Sequence, residues 1–158
     1  MRTRLLIAGL ALIIVILAAL LIYTRVHAPA ESSAADAVVS KAETLPREIE
    51  LADTQEKRMQ GLSGRKDIAD DYGMLFIFEE AAKHGFWMKD MLFAIDIVWL
   101  SDDGTIVHIE HSVSPASYPS VLAPAVPASF ALETRAGYAK DHGWDTGTKL
   151  DISSYQGN

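Results

Sequence analysis

The stretch from Leu92 to Leu100 reads Leu-Phe-Ala-Ile-Asp-Ile-Val-Trp-Leu, an apolar run of strand length broken once, by Asp96. A strand that is apolar towards both sides is covered on both sides, so this segment belongs inside a sheet and not at its edge. An ionised carboxylate in such a place costs several kcal/mol unless it is paired or hydrogen-bonded. Any fold for this chain must therefore supply a central strand and a partner for Asp96. The candidates are Lys89, an arginine such as Arg58 or Arg65, or backbone amides. Directly before the strand stands His84-Gly-Phe-Trp-Met-Lys-Asp-Met91, a dense group of aromatic, thioether and charged side chains.

The neighbouring segments point to a mainly β architecture. Arg47 to Ala52 alternates, with Ile49 and Leu51 on one side and Glu48 and Glu50 on the other, the pattern of a half-buried strand. Asp53-Thr-Gln-Glu56 matches a capping box, which predicts a short helix over Thr54 to Gln60, stopped by Gly61. Gly73 to Phe78 is apolar on both faces and reads as a second central strand. Ser101-Asp-Asp-Gly104 is a hairpin turn into a strand over Thr105 to Val113. Pro115, Pro119, Pro124 and Pro127 then mark a long loop of the kind that covers a site. Ser129 to Thr134 reads as a strand, Ala136 to His142 as a helical turn or two, and Thr148 to Ile152 as a last short strand. Without a strand-helix-strand alternation, these elements predict an α+β domain of mainly β type. The expected form is an antiparallel barrel or sandwich with two short helices.

Three segments precede or make up this domain. Residues 1–25 carry Arg2 and Arg4 and then an uncharged apolar run from Leu5 to Tyr23, about 19 residues, which suits a transmembrane signal anchor. Residues 26–45 are rich in Ala, Ser and scattered acids and read as a flexible linker. Residues 46–158 form the globular domain. The positive N-terminal flank predicts a cytoplasmic N-terminus and a periplasmic or otherwise extracytoplasmic C-terminal domain at the inner membrane. Cleavage near Ala28-Pro-Ala30 or Ala35-Asp-Ala37 would give a secreted form. The chain has no cysteine, which excludes a disulfide framework and Cys-based metal or nucleophile chemistry. Its net charge of -7 argues against nucleic acid as a partner. No cofactor is expected.

Several separated blocks carry a family resemblance: Gly61-Leu, Gly73-Met-Leu-Phe-Ile-Phe, Phe86-Trp-Met-Lys, Ile95-Asp-Ile, the Asp-Gly hairpin, Leu132-Glu and Ala136-Gly. In this order and spacing the chain resembles the DUF192 family over roughly Glu48 to Asp151. The resemblance implies an export-associated or membrane-tethered β-rich domain and no particular reaction. The family often reads Trp-Met-Lys-Asn-Thr followed by a proline before the buried Asp, where this chain has Asp90, Met91 and Ala94. A Gly-Asp common near the end is Gly147-Thr148 here.

Three functional readings follow from the residues. The leading one is a membrane-tethered periplasmic binding or accessory module of the cell envelope. Trp87, Met88, Lys89, Asp90 and Tyr118 would contact a glycan, peptide or protein ligand under the Pro-rich loop, with Phe86 and Trp144 as further aromatic walls. The second is a small hydrolase or transferase that uses Asp96 and Glu133 as paired carboxylates for general acid-base work. The third is a copper-handling module in which His84, Met88 and Met91 hold Cu(I), since thioethers select that ion. His108 and His111 are three apart, so on a regular strand they face opposite sides and cannot share one metal.

Overall fold

The computed structural model describes residues 42–156. The predicted transmembrane segment and most of the linker lie outside the described residues. Among the described residues no helix is long and apolar enough to cross a membrane.

Five strands build the domain: β1 (Glu48–Ala52), β2 (Tyr72–Ala82), β3 (Ile95–Leu100), β4 (Ile106–Val113) and β5 (Ala128–Arg135). Two short helices accompany them, α1 (Gln55–Gln60) between β1 and β2 and α2 (Tyr138–Asp141) after β5. The strands form one sheet in the order β1-β2-β5-β3-β4. As the apolar run around Asp96 requires, β3 is an inner strand, and all six of its residues are buried.

The sheet is open and mixed, which corrects the expectation of an antiparallel barrel or sandwich. β1 and β2 run parallel, pairing Glu48 with Tyr72 through Ala52 with Phe76, while β2–β5, β5–β3 and β3–β4 are antiparallel. A parallel pair needs a crossover of about a dozen residues or more, and the segment between Ala52 and Tyr72, with α1 inside it, provides one. The helix is legible in the sequence, but a single crossover leaves no repeating pattern to betray the parallel pair. The predicted last strand reduces to isolated bridges, Glu43 with Leu150 and Thr105 with Lys149. The cap of α1 also shifts by one residue. Thr54 Oγ1 accepts from Lys57 N at 3.3 Å, and Asp53 instead accepts from Lys57 Nζ at 2.7 Å.

Alternation along the strands divides the core in two. One face presents Met74, Phe76, Ile97, Trp99 and Ala131, against which Leu62, Phe86, Met88 and Met91 pack. The other presents Leu75, Val98, Leu100, Phe130 and Leu132, covered by Tyr138, Trp144, Leu150 and Ile152. Each fully buried large side chain contributes about 1.5–3 kcal/mol relative to exposure, so both layers are needed to hold the sheet. The Pro-rich loop closes over the first face. Leu122 and Phe86 exchange two backbone hydrogen bonds of 2.8 Å, and Gly85 permits the approach, since a Cβ there would lie 2.6 Å from Val121 Cγ1.

Candidate functional site

Asp96 and Glu133 stand on adjacent strands but do not meet. In the β3–β5 pair Asp96 is opposite Thr134 and Ile97 is opposite Glu133. Side chains directly opposite share a face and successive residues alternate, so the two carboxylates lie on opposite faces of the sheet. The paired-carboxylate hydrolase is thereby corrected: no single substrate contacts both groups.

Asp96 has a full set of partners, and all are backbone amides. Its Oδ1 accepts from Ser112 N at 2.7 Å and from Gly137 N at 3.0 Å, and its Oδ2 accepts from Ala139 N at 3.0 Å. Two irregularities deliver these donors. A bulge in β4 sets His111 and Ser112 against the single residue Asp96, between the pairs Ile95–Val113 and Ile97–Glu110, and Ser112 takes a φ of 50°. Gly137, at φ 84°, turns the chain into α2 and aims its own N–H at the carboxylate. Asp96 therefore fastens the bulge and the start of α2 to the central strand. It is a structural residue. Its partner is neither Lys89, Arg58 nor Arg65 but the third candidate, backbone amides.

Glu133 has the opposite environment. It is 5% exposed, and its Oε2 is buried without a hydrogen-bond partner among the described residues. Burial pushes its pKa from 4.5 up to about 8, and the charge of Arg65 opposes this only in part. Arg65 is committed elsewhere: Nη2 donates to both Glu50 oxygens at 2.8 and 2.9 Å, and Nη1 to Tyr72 Oη at 3.0 Å. The Tyr72 hydroxyl in turn donates to Glu50 Oε2 at 2.7 Å.

Glu133 lines a cavity of about 720 Å³ on the first face of the sheet. Phe76, Phe86, Trp87, Met59, Met91 and Val121 form its apolar walls, and Val121 comes from the Pro-rich loop. Phe76 and Phe86 meet edge to face with centroids 4.8 Å apart, which fixes the inner wall. Gly61 opens the way to the acid. It ends α1 at φ 50°, and a Cβ there would sit 3.5 Å from both Glu133 Oε2 and Phe76 Cζ. The size suits a small ligand, and a few polar groups set in apolar walls are the usual makeup of such sites.

The residues singled out from the sequence divide. Trp87, 44% exposed, lines the cavity. Met88 does not: it is 2% exposed and belongs to the core. Lys89 and Asp90 form an exposed turn tied to the loop after α1, where Ser63 Oγ donates to the Lys89 carbonyl and Gly64 N to the Asp90 carbonyl, both at 2.8 Å. Asp90 adopts φ 57°, a conformation that Asn and Asp tolerate better than most residues, and this accounts for its place there. Tyr118 is exposed away from the cavity lining, and Trp144 is buried on the opposite face, so the aromatic groove built from both is not assembled.

The copper trio is not assembled either. His84 and Met91 reach the cavity while Met88 is packed in the core. The His84 ring stacks on Phe78 at 3.5 Å, and its Nε2 is 2.9 Å from the Glu80 carbonyl. Among the described residues no group of three His, Cys, Asp or Glu side chains converges as a metal site. His108 is half-buried beside Trp99 with Nε2 3.0 Å from Glu110 Oε1, and His111 is exposed. Sequence reasoning missed Gly61, Phe76 and Val121. Gly61-Leu, present in the motif blocks, was the one signal that could have located the cavity floor.

An open mixed sheet with one helical crossover and a cavity over a buried acid defines a small α+β domain of mainly β type. The comparisons place it more closely. The chain belongs to the DUF192 family, described as Uncharacterized ACR, whose profile matches residues 37–152. It is similar to a protein of Sinorhizobium meliloti 1021 proposed to be a transcription regulator, with 35% identity and a TM-score of 0.61 over 64% of this chain and 78% of that one. It is likewise similar to a protein of unknown function from Novosphingobium aromaticivorans DSM 12444, with 29% identity and a TM-score of 0.61 over 64% of this chain and 71% of that one. No curated protein matches the chain.

Proposed function

We propose that this domain is a ligand-binding module of the cell envelope. The N-terminal apolar run tethers it to the inner membrane, and the domain takes a small organic ligand into the cavity over Glu133. One observation carries the binding reading: a buried carboxylate with an unpartnered oxygen facing a cavity walled by Phe76, Phe86 and Trp87. Buried polar groups are almost always hydrogen-bonded, and an exception in a cavity is a natural place for a ligand to make the missing bond. The regulator description of the Sinorhizobium protein finds little support here, because the net charge of -7 opposes contact with a phosphate backbone.

The test uses aromatic fragments of positive, negative and zero charge against the purified full-length protein in detergent. Trp87 lines the cavity, so its emission and the melting temperature should both respond to at least one class of fragment. The response should vanish in Gly61→Leu, whose side chain would occupy the space above the acid. Silence from every class would end the binding reading. For the tether, a periplasm-dependent reporter fused after Asn158 should be active, and an inactive but intact fusion would refute export.

A further inference from the structure

We propose that the cavity selects an organic cation, an amine or guanidinium on an apolar stem, with Glu133 as its counter-ion; this rests on the binding reading above and names its ligand class. Three features of the cavity support it. An ionised carboxylate only accepts hydrogen bonds, and the unpartnered Oε2 of Glu133 is complementary to a charged donor. Phe76, Phe86 and Trp87 make the walls aromatic, which suits an apolar stem. Gly61 keeps the side of the carboxylate towards α1 free of a side chain, where any other residue would place a Cβ 3.5 Å from Oε2.

The charges around the cavity decide between a cation and an anion. Glu79 and Glu80 line it with Glu133, against the single lining arginine, Arg58. That arginine is already engaged, since its Nη1 donates to the Asp53 and Ile77 carbonyls at 2.9 Å each and its guanidinium lies 5.9 Å from the Phe78 ring centroid. Arg65 is held by Glu50 and Tyr72, and α1 adds Lys57, which pairs with Asp53. Among the described residues no cation hydrogen-bonds to Glu133 and no lysine lines the cavity, whereas an incoming cation would restore the paired state that buried charges require.

The proposal has a proton signature. Burial raises the Glu133 pKa to about 8, so pairing with a cation near neutral pH requires its proton to leave for solvent. Affinity for a permanently charged probe such as benzamidine therefore rises with pH between about 6 and 8, with up to one proton released per ligand bound. His84 also lines the cavity, so the same measurement is repeated in His84→Gln to isolate the contribution of Glu133.

The experiment measures binding of benzamidine, benzylamine, benzyl alcohol and phenylacetate by titration calorimetry in two buffers of different ionisation enthalpy. Expected are binding of both cations, proton release, and affinity weakened roughly tenfold or more in Glu133→Gln, with benzyl alcohol indifferent to that variant. Nα-acetyl-arginine methylamide, as a further arm, shows whether a peptide-borne guanidinium enters as a free amidine does. Stronger binding of phenylacetate or benzyl alcohol than of either cation, or cation binding unchanged in a folded Glu133→Gln, overturns the cation and leaves the cavity as a binding site. No binding of any probe overturns both.

Discussion

Asp96 and Glu133 are neighbours across one strand pair, a single residue out of register, and they have opposite fates. Asp96 is fully buried on the second face and accepts three backbone hydrogen bonds from two separate chain segments. Glu133, almost as buried on the first face, accepts none from the described residues and has its pKa driven up by burial. Burial alone therefore does not distinguish a structural acid from one available for a ligand. The account of hydrogen bonds does. The second face is a closed core with Asp96 as its polar anchor, and the first is a core with an opening above Glu133.

The largest test of this contrast is Asp96→Ala. It strands the Ser112, Gly137 and Ala139 amides together, and breaking a buried charge site of this kind costs about 3–5 kcal/mol. Urea unfolding should show the midpoint falling by that equivalent. Asp96→Asn keeps one oxygen for Ser112 and Gly137 but sets an amide NH2 against Ala139 N, for an intermediate loss of about 1.5–3 kcal/mol. A loss below about 1 kcal/mol for the alanine variant would break the comparison at its structural end.

The half of this contrast that concerns Asp96 was legible in the sequence, and the other half was not. An acid inside Ile95-Asp-Ile-Val-Trp-Leu100 announces burial and a need for partners, because every neighbour is apolar. Its actual donors depend on a bulge and on a left-handed glycine about 40 residues downstream, and neither has a period to read. Glu133 in Phe130-Ala-Leu-Glu-Thr134 looked equivalent, since sequence fixes neither which face an acid takes relative to another strand nor what covers it. The places of β1 to β5 and the hairpin were legible because apolar runs and turn residues are local, whereas the expected strand over Thr148 to Ile152 reduces to isolated bridges. The parallel β1–β2 pair and the cavity were not, since each depends on a crossover or on three distant segments meeting.

The pH dependence of stability is the next largest test. The Glu133 carboxyl titrates near 4.5 in the unfolded chain and near 8 in the folded one. Between these values the folded protein retains a proton that the unfolded chain has released, so this group's contribution to stability falls as pH rises from about 4.5 to 8 and stays low above that. The loss amounts to a few kcal/mol at most. Glu133→Gln should flatten that part of the profile, and the variant-minus-parent difference is the quantity to follow. Glu50 and Asp71, lowered chiefly by hydrogen bonds from Tyr72 and Tyr138, act with opposite sign, losing stabilisation as pH falls below the carboxylate range. They cancel in the difference. An unchanged profile would mean that Glu133 finds a partner in solution, and the two acids would then be alike.

The smallest expected change in stability is also the sharpest test of the first face as a site. Trp87 is 44% exposed, whereas Trp99 and Trp144 are buried in the two cores. Removing a large side chain that is just over half covered should cost about 1–2 kcal/mol, below the 3–5 kcal/mol expected of a core tryptophan. Trp87→Ala should therefore lower the melting temperature only modestly while weakening benzamidine about two- to fivefold, the worth of one partly exposed aromatic side chain to a cation. The reverse outcome, a large loss of stability with no change in binding, would make Trp87 a lid on a closed core. The opening above Glu133 would then be a packing defect, and the difference between the two faces would disappear.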